Sequence, residues 1–494
     1  MRVSDSSRAR FSMLISASLL FAGCAVGPSF KRPAAPNVGG YTPTPPSATS
    51  LIANVPGGEA QQFVPNLDIP GDWWTLFHST PLNDLIERAL RTNPDIKAAQ
   101  AALLVARENM LAQRGAYYPS VNGSFAASHN KTSDVIAPFP NSNVFTYSLF
   151  TPQVTVSYVP DVFHLNRRTV ESLKAQEEQA RFALAATHIT LSSNVAAAAI
   201  QEASLRGQID ATQQLIEINT TMLQILREQF AQGYVAQLDV AAQQSQLAQV
   251  TATMPPLLKQ LAQQRNLLAQ LSGGLPSEEF PEKFEFSSFQ LPADLPVSLP
   301  SQLVEQRPDV RQAEENLHAA SAQVGIARAN RLPSFNLTAN AGSMALALSQ
   351  IFAPGTGFWD LTASVTQPIF DAGTLRHRER AAQAAYTEAS EQYRGVILTA
   401  FQNVADTLNA LQQDAEALKA AAAAQQAAGV TLTQAKSQFG AGYASYLTLL
   451  SAEQTYQQAE LNLMQARATR YADTAALFQA LGGGWWNRAD IPKS

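Results

Sequence analysis

The sequence predicts an α+β membrane protein in which strands from several copies of the chain close one β-barrel and very long helices continue beside each other. Three observations predict it. Four segments alternate apolar and polar residues at period two, two long stretches contain no proline, and the same ordered markers occur twice along the chain. Hydrophobic residues make up 46% of the 494 and charged ones only 15%, low for a soluble enzyme with a solvated surface. The net charge of −5 supplies no basic field, so nucleic acid is excluded as a partner. Beyond the N-terminus no run of 18 apolar residues occurs, so any insertion in a membrane must use strands or an anchor.

Residues 1–23 read as an export signal. Arg2, Arg8 and Arg10 form a basic head, and Phe11–Ala22 is an apolar core of twelve residues, too short to span as a helix and right for a signal. The core runs into Leu20-Phe21-Ala22-Gly23-Cys24, and Cys24 is the single cysteine, so no internal disulfide forms. Small residues directly before a cysteine resemble a bacterial lipobox, where the thiol is diacylated and becomes the mature N-terminus. Phe21 stands where Leu is more usual. An ordinary secretory signal with a chance cysteine is the alternative. Each buried acyl methylene contributes about 0.8 kcal/mol, so several chains anchor firmly. Ala25 follows instead of Asp, which by the same resemblance sorts the lipoprotein to the outer membrane. Loss of the signal takes the net charge from −5 to −7, since three Arg and one Asp leave with it.

From Cys24 to Pro70 the chain is rich in Pro, Gly, Ser and Thr without apolar period, and residues 24–80 read as a lipid-anchored, extended N-terminal segment. Two structural repeats follow, 81–274 and 301–484. Asn93-Pro94-Asp95-Ile96 returns as Arg307-Pro308-Asp309-Val310, and Pro119-Ser120 as Pro333-Ser334, both 214 residues on. Phe230–Tyr234 returns as Phe439–Tyr443, and Gly273-Gly274 as Gly482-Gly483, both 209 residues on. Two copies of one unit explain markers in this order. The proline-rich stretch 275–300 reads as a connector, and 485–494 as a C-terminal tail.

Each repeat has a helix, two strands and two long helices. In the second, Phe335, Leu337, Ala339 and Ala341 alternate with Asn336, Thr338 and Asn340, and Trp359, Leu361, Ala363 and Val365 with Asp360, Thr362, Ser364 and Thr366. In the first, Val121, Phe125 and Ala127 alternate with Asn122, Ser124 and Ser128, while Phe145, Tyr147 and Leu149 alternate with Thr146 and Ser148 and slip phase near Pro152. Strands are expected at about 119–129, 144–159, 333–343 and 357–370. One apolar and one polar face suit a half-buried strand and a membrane barrel alike. The aromatics Phe145, Phe335, Phe358 and Trp359 fit interfacial girdles or a core.

No proline occurs from Asp161 to Met254 or from Ile369 to Ile491. Within the second stretch Tyr386, Ala389, Tyr393, Val396, Ala400, Val404, Leu408, Leu411, Ala415, Leu418 and Ala422 recur at steps of three or four, a narrow stripe of coiled-coil type. Helices are expected at about 165–232, 236–272, 373–438 and 443–481. The first would reach about 100 Å and must pack beside others. Pro255-Pro256 interrupts the fourth helix of the first repeat and predicts a kink.

Four strands cannot close a barrel, and an open edge in lipid leaves backbone groups unpaired at several kcal/mol each. Bacterial barrels have at least about eight strands, so chains must share one. This physics does not choose between two and three copies.

The motifs, taken together, resemble one family. Cys24-Ala-Val-Gly-Pro-Ser-Phe-Lys-Arg-Pro33 looks like the mature start of outer-membrane efflux lipoproteins of the TolC-like superfamily, NodT type, and Asp72-Trp73-Trp74-Thr-Leu-Phe77 like their first motif. Arg307-Pro308-Asp309-Val310, Leu332-Pro333-Ser334-Phe335, Phe401-Gln-Asn-Val-Ala-Asp406, Tyr446-Leu447-Thr448-Leu449-Leu450 and Ala480-Leu481-Gly482-Gly483-Gly484-Trp485 are similar to its later motifs. The resemblance implies a homotrimer, a twelve-stranded transmembrane barrel with four strands per chain, and a periplasmic α-helical barrel closing to an iris. It also implies a periplasmic adaptor and an inner-membrane pump, commonly of the resistance-nodulation-division type. The function implied is a passive exit duct of a tripartite efflux system; type I protein export uses the same kind of duct.

The working parts of such a duct are its wall and gate. Phe230–Tyr234 and Phe439–Tyr443 place Gly233 and Gly442 after long helices, where a left-handed C-cap favours glycine, and are the expected hairpin tips. In relatives a Leu and, four residues later, an Asp after the second tip constrict the iris. Leu447 matches the Leu, and Ser451 stands where the Asp would be, a departure from that pattern. Leu238-Asp239, past the first tip, could supply a carboxylate instead; Asp239 equally fits a solvated surface residue.

An enzyme finds no support. His78, His129, His164, His188, His318 and His377 are scattered without metal-site spacing and read as surface or lumen residues. No P-loop or Gly-x-Ser-x-Gly is present. No cofactor is expected beyond covalent lipid on Cys24. A pore-less coiled-coil lipoprotein is a third class, and it predicts no alternating strands. Nothing in the residues names the cargo.

Overall fold

The computed structural model describes residues 26–52, 55–131, 133, 146–278 and 281–492; Cys24 and Phe145 lie outside them. The strands are β1 (Gln62–Pro65), β2 (Ser120–Lys131), β3 (Thr146–Tyr158), β4 (Asp294–Val297), β5 (Ser334–Ser343) and β6 (Gly357–Thr366). The helices are α1 (Thr80–Thr92), α2 (Pro94–Arg114), α3 (Leu165–Ala231), α4 (Gln237–Leu271), α5 (Pro300–Gln306), α6 (Pro308–Ala329), α7 (Thr374–Gly440) and α8 (Tyr446–Ala480). The order helix, strand, strand, helix, helix occurs twice, with long helices of 67 and 35 residues each time.

The chain forms two compact units. One gathers Met1–Arg32, Leu104–Gln179 and Ala313–Tyr393 and holds the sheet β2-β3-β5-β6, antiparallel throughout. Its register places Asn122 opposite Thr155, Thr155 opposite Asn340 and Asn340 opposite Asp360. Thr155 Oγ1 donates to Asn340 Oδ1 at 2.7 Å and Asn340 Nδ2 to Asp360 Oδ2 at 3.0 Å, so one face carries a polar row across all four strands. The other carries Val121, Val156, Ala339 and Leu361 in one row.

This register corrects one expectation. β3 runs through Pro152 without a bulge, so Phe150, Pro152, Val154 and Val156 share the apolar face, whereas Tyr147 and Leu149 lie on the polar one. The ladder to β5 breaks only locally, resuming as a bridge between Phe150 and Ala345, because Pro152 has no N–H to donate on that side.

In the same unit residues 26–32 lie along α6. Arg32 pairs with Glu314 at 3.0 Å, Phe30 stacks on His318 at 4.4 Å, and Gly27 approaches Gly325 so closely that a Cβ would sit 2.6 Å from the Gly325 Cα. His318 also reaches Glu315 (3.1 Å) and Glu171 (3.3 Å); the Glu315 hydrogen bond leads the effects that raise its pKa.

The second unit gathers Pro33–Leu103, Ala180–Gln312 and Arg394–Ser494. Its α7 stripe is the packed face: Ala400, Val404, Leu408, Leu411, Ala415 and Leu418 are all buried. One stretch of α3 is apolar enough by composition to cross a bilayer, but two thirds of it is buried within the protein.

Three expectations fail here. The segment 24–80 is no bare tether, because β1 pairs in parallel with β4 and Trp73, Trp74 and Phe77 are buried in one turn, Trp73 stacked on Phe478 at 5.2 Å. The connector 275–300 is likewise core: it supplies β4 and the buried Phe284, Phe286, Phe289, Leu291 and Leu295. In the tail, Trp485 and Ile491 close a cluster with Phe182, Ala185 and Ile189. Irregular chain shows no period, so partners distant in sequence decide its burial. The fourth helix of the first repeat, expected at about 236–272, is α4, Gln237–Leu271, and it runs on through Pro255-Pro256. Leu258 nearby is exposed, and a helix can bend toward solvent without breaking.

Candidate functional site

Both hairpin tips share one turn. Gly233 (φ +81°) donates to the Phe230 carbonyl at 2.9 Å and Tyr234 to Gln229 at 2.9 Å. Gly442 (φ +77°) donates to Phe439 at 3.0 Å and Tyr443 to Gln438 at 2.8 Å. This paired pattern is the Schellman closure, which satisfies the last carbonyls of α3 and α7. The ring that follows would ordinarily pack back on the helix, yet Tyr234 is 76% and Tyr443 88% exposed.

Leu238 and Leu447 occupy equivalent positions near the start of each return helix and are 77% and 66% exposed. The neighbours differ. Asp239 turns inward on its own helix, its Oδ2 accepting the Ala236 N–H at 3.1 Å, where a carboxylate also meets the positive helix end. At the second tip Ser445 caps α8 by accepting the Thr448 N–H at 3.3 Å. Ser451 is exposed, one turn beyond Leu447. The structure therefore brings each Leu beside its own glycine turn and gives Asp239 a capping bond that sequence reasoning did not assign.

Behind the tips lies a polar chain that sequence reasoning missed. The buried Tyr446 hydroxyl donates to Gln243 Oε1. Gln243, fully buried, donates to the carbonyl and the side-chain oxygen of Asn219, both at 3.0 Å, and Asn219 donates to the Leu215 carbonyl at 2.8 Å. Three helices, α8, α4 and α3, are thus linked by side chains whose loss would leave buried polar atoms unpaired. Beside them Leu432, Ala435, Leu449 and Ala452 form an apolar cluster. Glu453 is 2% exposed, and neither of its carboxylate oxygens has a hydrogen-bond partner among the described residues. Burial pushes its pKa up, partly offset by Lys436. The signal was available: Tyr446, Leu449 and Glu453 are spaced three and four apart, so Glu453 falls on the stripe.

Among the described residues no group of three His, Cys, Asp or Glu is placed to hold a metal. Of the histidines read as surface or lumen residues, His188 is 4% exposed, neither ring nitrogen has a hydrogen-bond partner among the described residues, and burial lowers its pKa. A lone His in an Ala-rich helix carries no sign of which face it occupies.

Comparison with known proteins decides the family. The model described as outer membrane efflux protein matches residues 85–274 and 299–483. The chain belongs to the outer membrane efflux protein family. It is 27% identical to the toluene efflux pump outer membrane protein TtgC of Pseudomonas putida over 95% of each chain. It is 27% identical to the probable outer membrane lipoprotein SilC of Salmonella typhimurium, over 95% of this chain and 98% of that one. The solved outer-membrane channel OprN matches with a TM-score of 0.83 at 25% identity, over 94% of this chain and all of that one. This efflux protein has the fold of outer-membrane channels of the TolC family and is an outer-membrane component of efflux. The two matched segments each contain one sheet hairpin and one tip.

Proposed function

We propose that three copies of the chain close a twelve-stranded transmembrane barrel that continues into a periplasmic helical barrel, a passive exit duct for cargo delivered by an inner-membrane pump and a periplasmic adaptor. One observation carries the reading: β2 and β6, of 12 and 10 residues, each have one edge without a partner strand among the described residues. Their faces suit lipid outside and water inside. Trp359, Leu361 and Val365 are 80%, 74% and 62% exposed, while the polar row through Thr155, Asn340 and Asp360 suits the lumen. Lipid forbids open edges, so β6 of one copy must meet β2 of the next. A pore-less coiled-coil lipoprotein has no use for such a sheet.

The exposed Leu238 and Leu447 with Gly233 and Gly442 form the gate, and Ser451 beside Leu447 gives that ring a neutral polar neighbour. Asp239, committed to its cap, contributes structure more than ring charge. The relatives' names as efflux-pump components support an adaptor and a pump as partners, and the resemblance of the motifs points to a pump of the resistance-nodulation-division type. Diacyl lipid on Cys24 anchors each copy in the outer membrane.

Purified protein tests this. Expected are a trimer in detergent that migrates differently unheated and boiled, and discrete conductance in planar bilayers. A monomer silent in bilayers overturns the duct.

A further inference from the structure

We propose that the protein binds an anionic phospholipid of the periplasmic leaflet of the outer membrane, where the sheet gives way to α3 and α6. The headgroup phosphate sits on Arg114 and Arg167, and an acyl chain fills the cavity beside them. This rests on the barrel of the proposed function, which sets lipid against the apolar face of the sheet. The strands stop together there: Ser120 opens β2 opposite Ser157, near the end of β3, and Ser334 opens β5 opposite Thr366, the last residue of β6. The long helices follow from these ends, so this is the periplasmic boundary of the barrel. Tyr117 and Tyr118, both exposed just before β2, are amphipathic rings that suit a headgroup layer.

The cavity has a volume of about 500 Å³, within the ordinary range for small-molecule pockets. Val162, Phe163, Leu332, Pro333 and Phe335 give it apolar walls, the Phe163 and Phe335 rings 6.2 Å apart. Phe335 shares a face of β5 with Ala339, opposite Leu361, so the cavity continues the surface that the barrel turns to lipid. Two of the strand ends beside it, those of β3 and β5, belong to the middle of the sheet, whereas copies join at the edges β2 and β6.

The rim selects the headgroup. Gln113, Asn166 and Asn330 line the cavity, and each is followed by an exposed arginine, Arg114, Arg167 and Arg331. Arg331 shares Glu379 with Arg328, so two cations meet one carboxylate there. Asp161, on the wall, commits one oxygen to the Asn166 N–H at 2.9 Å and the other to the Arg167 N–H at 2.8 Å. Among the described residues no acid pairs with the guanidinium of Arg114 or Arg167, and the charges of both reach the Tyr117 hydroxyl. Guanidinium forks match phosphate oxygens. Asn166 adds a donor: its Oδ1 accepts from Gln113 at 2.7 Å, while its buried Nδ2 has no hydrogen-bond partner among the described residues. The arrangement recurs at the start of α7, where Asp371 accepts the Gly373 and Leu375 N–H groups at 2.9 and 2.8 Å and Arg376, Arg378 and Arg380 are exposed. A phosphodiester with a hydrocarbon tail serves cations, donor and apolar walls together. Free phosphate would leave the walls wet, and a zwitterionic lipid sets its own ammonium against the arginines.

The test uses the full chain as a purified trimer in vesicles doped with phosphatidylglycerol that carries a photoreactive diazirine in its acyl chain. Irradiation and mass spectrometry should place crosslinks on residues 162–163 and 332–335. Phosphatidylethanolamine with the same tail should label those residues several-fold less. Arg114→Gln combined with Arg167→Gln should lower labelling by phosphatidylglycerol about fivefold for each arginine removed. Arg227→Gln, 60 residues further along α3, should leave it unchanged. The unheated trimer band reports whether each variant assembles, and the comparison of the two lipids on wild type decides by itself if one does not. Equal labelling by the two lipids, or labelling indifferent to Arg114 and Arg167, overturns the proposal. So does a trimer labelled along β5 and β6 but not in the cavity, which would then be covered by protein. A conducting trimer in any of these outcomes leaves the duct standing, whereas a chain that forms no trimer overturns the duct and the lipid site together.

Discussion

Arg307 donates through Nη1 to the carbonyl of Ala480 at 3.0 Å, and 214 residues earlier Asn93 donates through Nδ2 to the carbonyl of Leu271, also at 3.0 Å. Both donors immediately precede a proline that starts a helix, and both acceptors are the last residues of long helices, 209 residues apart. Proline forces the residue before it out of helical geometry, which frees that side chain to satisfy orphaned carbonyls at another helix end. Arg307 goes further, reaching the Ala400 carbonyl at 3.4 Å and both oxygens of Asp309.

Removing the guanidinium should therefore cost more than removing the amide. Charge-assisted hydrogen bonds are the stronger kind, so Arg307→Ala is expected to destabilise by about 2–4 kcal/mol and Asn93→Ala by about 1–2 kcal/mol. Arg307→Lys should recover little, since an ammonium cannot span the same acceptors. Thermal loss of the helical circular-dichroism signal measures all three; equal midpoints for Arg307→Ala and wild type would refute the role.

The two faces of β6 should respond oppositely. Leu361→Arg puts a charge on the lipid side, at about 2–4 kcal/mol near the bilayer midplane, and is expected to abolish the unheated trimer band. Thr362→Arg, one residue on, should keep that band and alter conductance and ion selectivity. Equal assembly of both variants would mean that the faces are assigned wrongly.

At the tips, Gly442→Ala must hold a left-handed φ and should destabilise by about 1–2 kcal/mol, although a Cβ there meets nothing within 4 Å. Gly440→Ala, at the last residue of α7, should stabilise by up to about 1 kcal/mol. Leu447→Ala and Leu238→Ala are expected to raise single-channel conductance. If neither does, the constriction lies elsewhere.

Acidity should act on α7 and α8 through Asp414 and Asp473, which share a hydrogen bond. Burial, then the bond and the charge of Asp473, push Asp414 from 3.8 up to about 7, with Arg470 pulling the other way. The folded state thus holds a proton that the unfolded chain releases, so stability falls as pH rises from about 4 to about 7 and is level above. Asp414→Asn should flatten that part of the profile in urea titrations at stepped pH. An unchanged slope would show that the pair carries no such proton.

Much was legible because regular elements announce themselves in one dimension. The stripe from Ala400 to Leu418 and the alternation from Trp359 to Val365 each specify a face without reference to any other part of the chain. Tyr147 and Leu149 misled because local alternation continues smoothly there, and only pairing with β2 shows which face they occupy. At the tips glycine spacing located the turns, but the capping bond of Asp239 and the Asn219–Gln243–Tyr446 chain needed three helices in place.

The sequence by itself determined the kinds of element, their duplicated order, the turns and the export signal, since periodicity, proline and glycine act within a few residues. Tertiary structure alone decided that Trp73, Phe284 and Trp485 belong to the core, that residues 26–32 lie along α6, and that Glu453 is buried with no hydrogen-bond partner among the described residues. Those outcomes depend on contacts between segments hundreds of residues apart, whose desolvation no local pattern records.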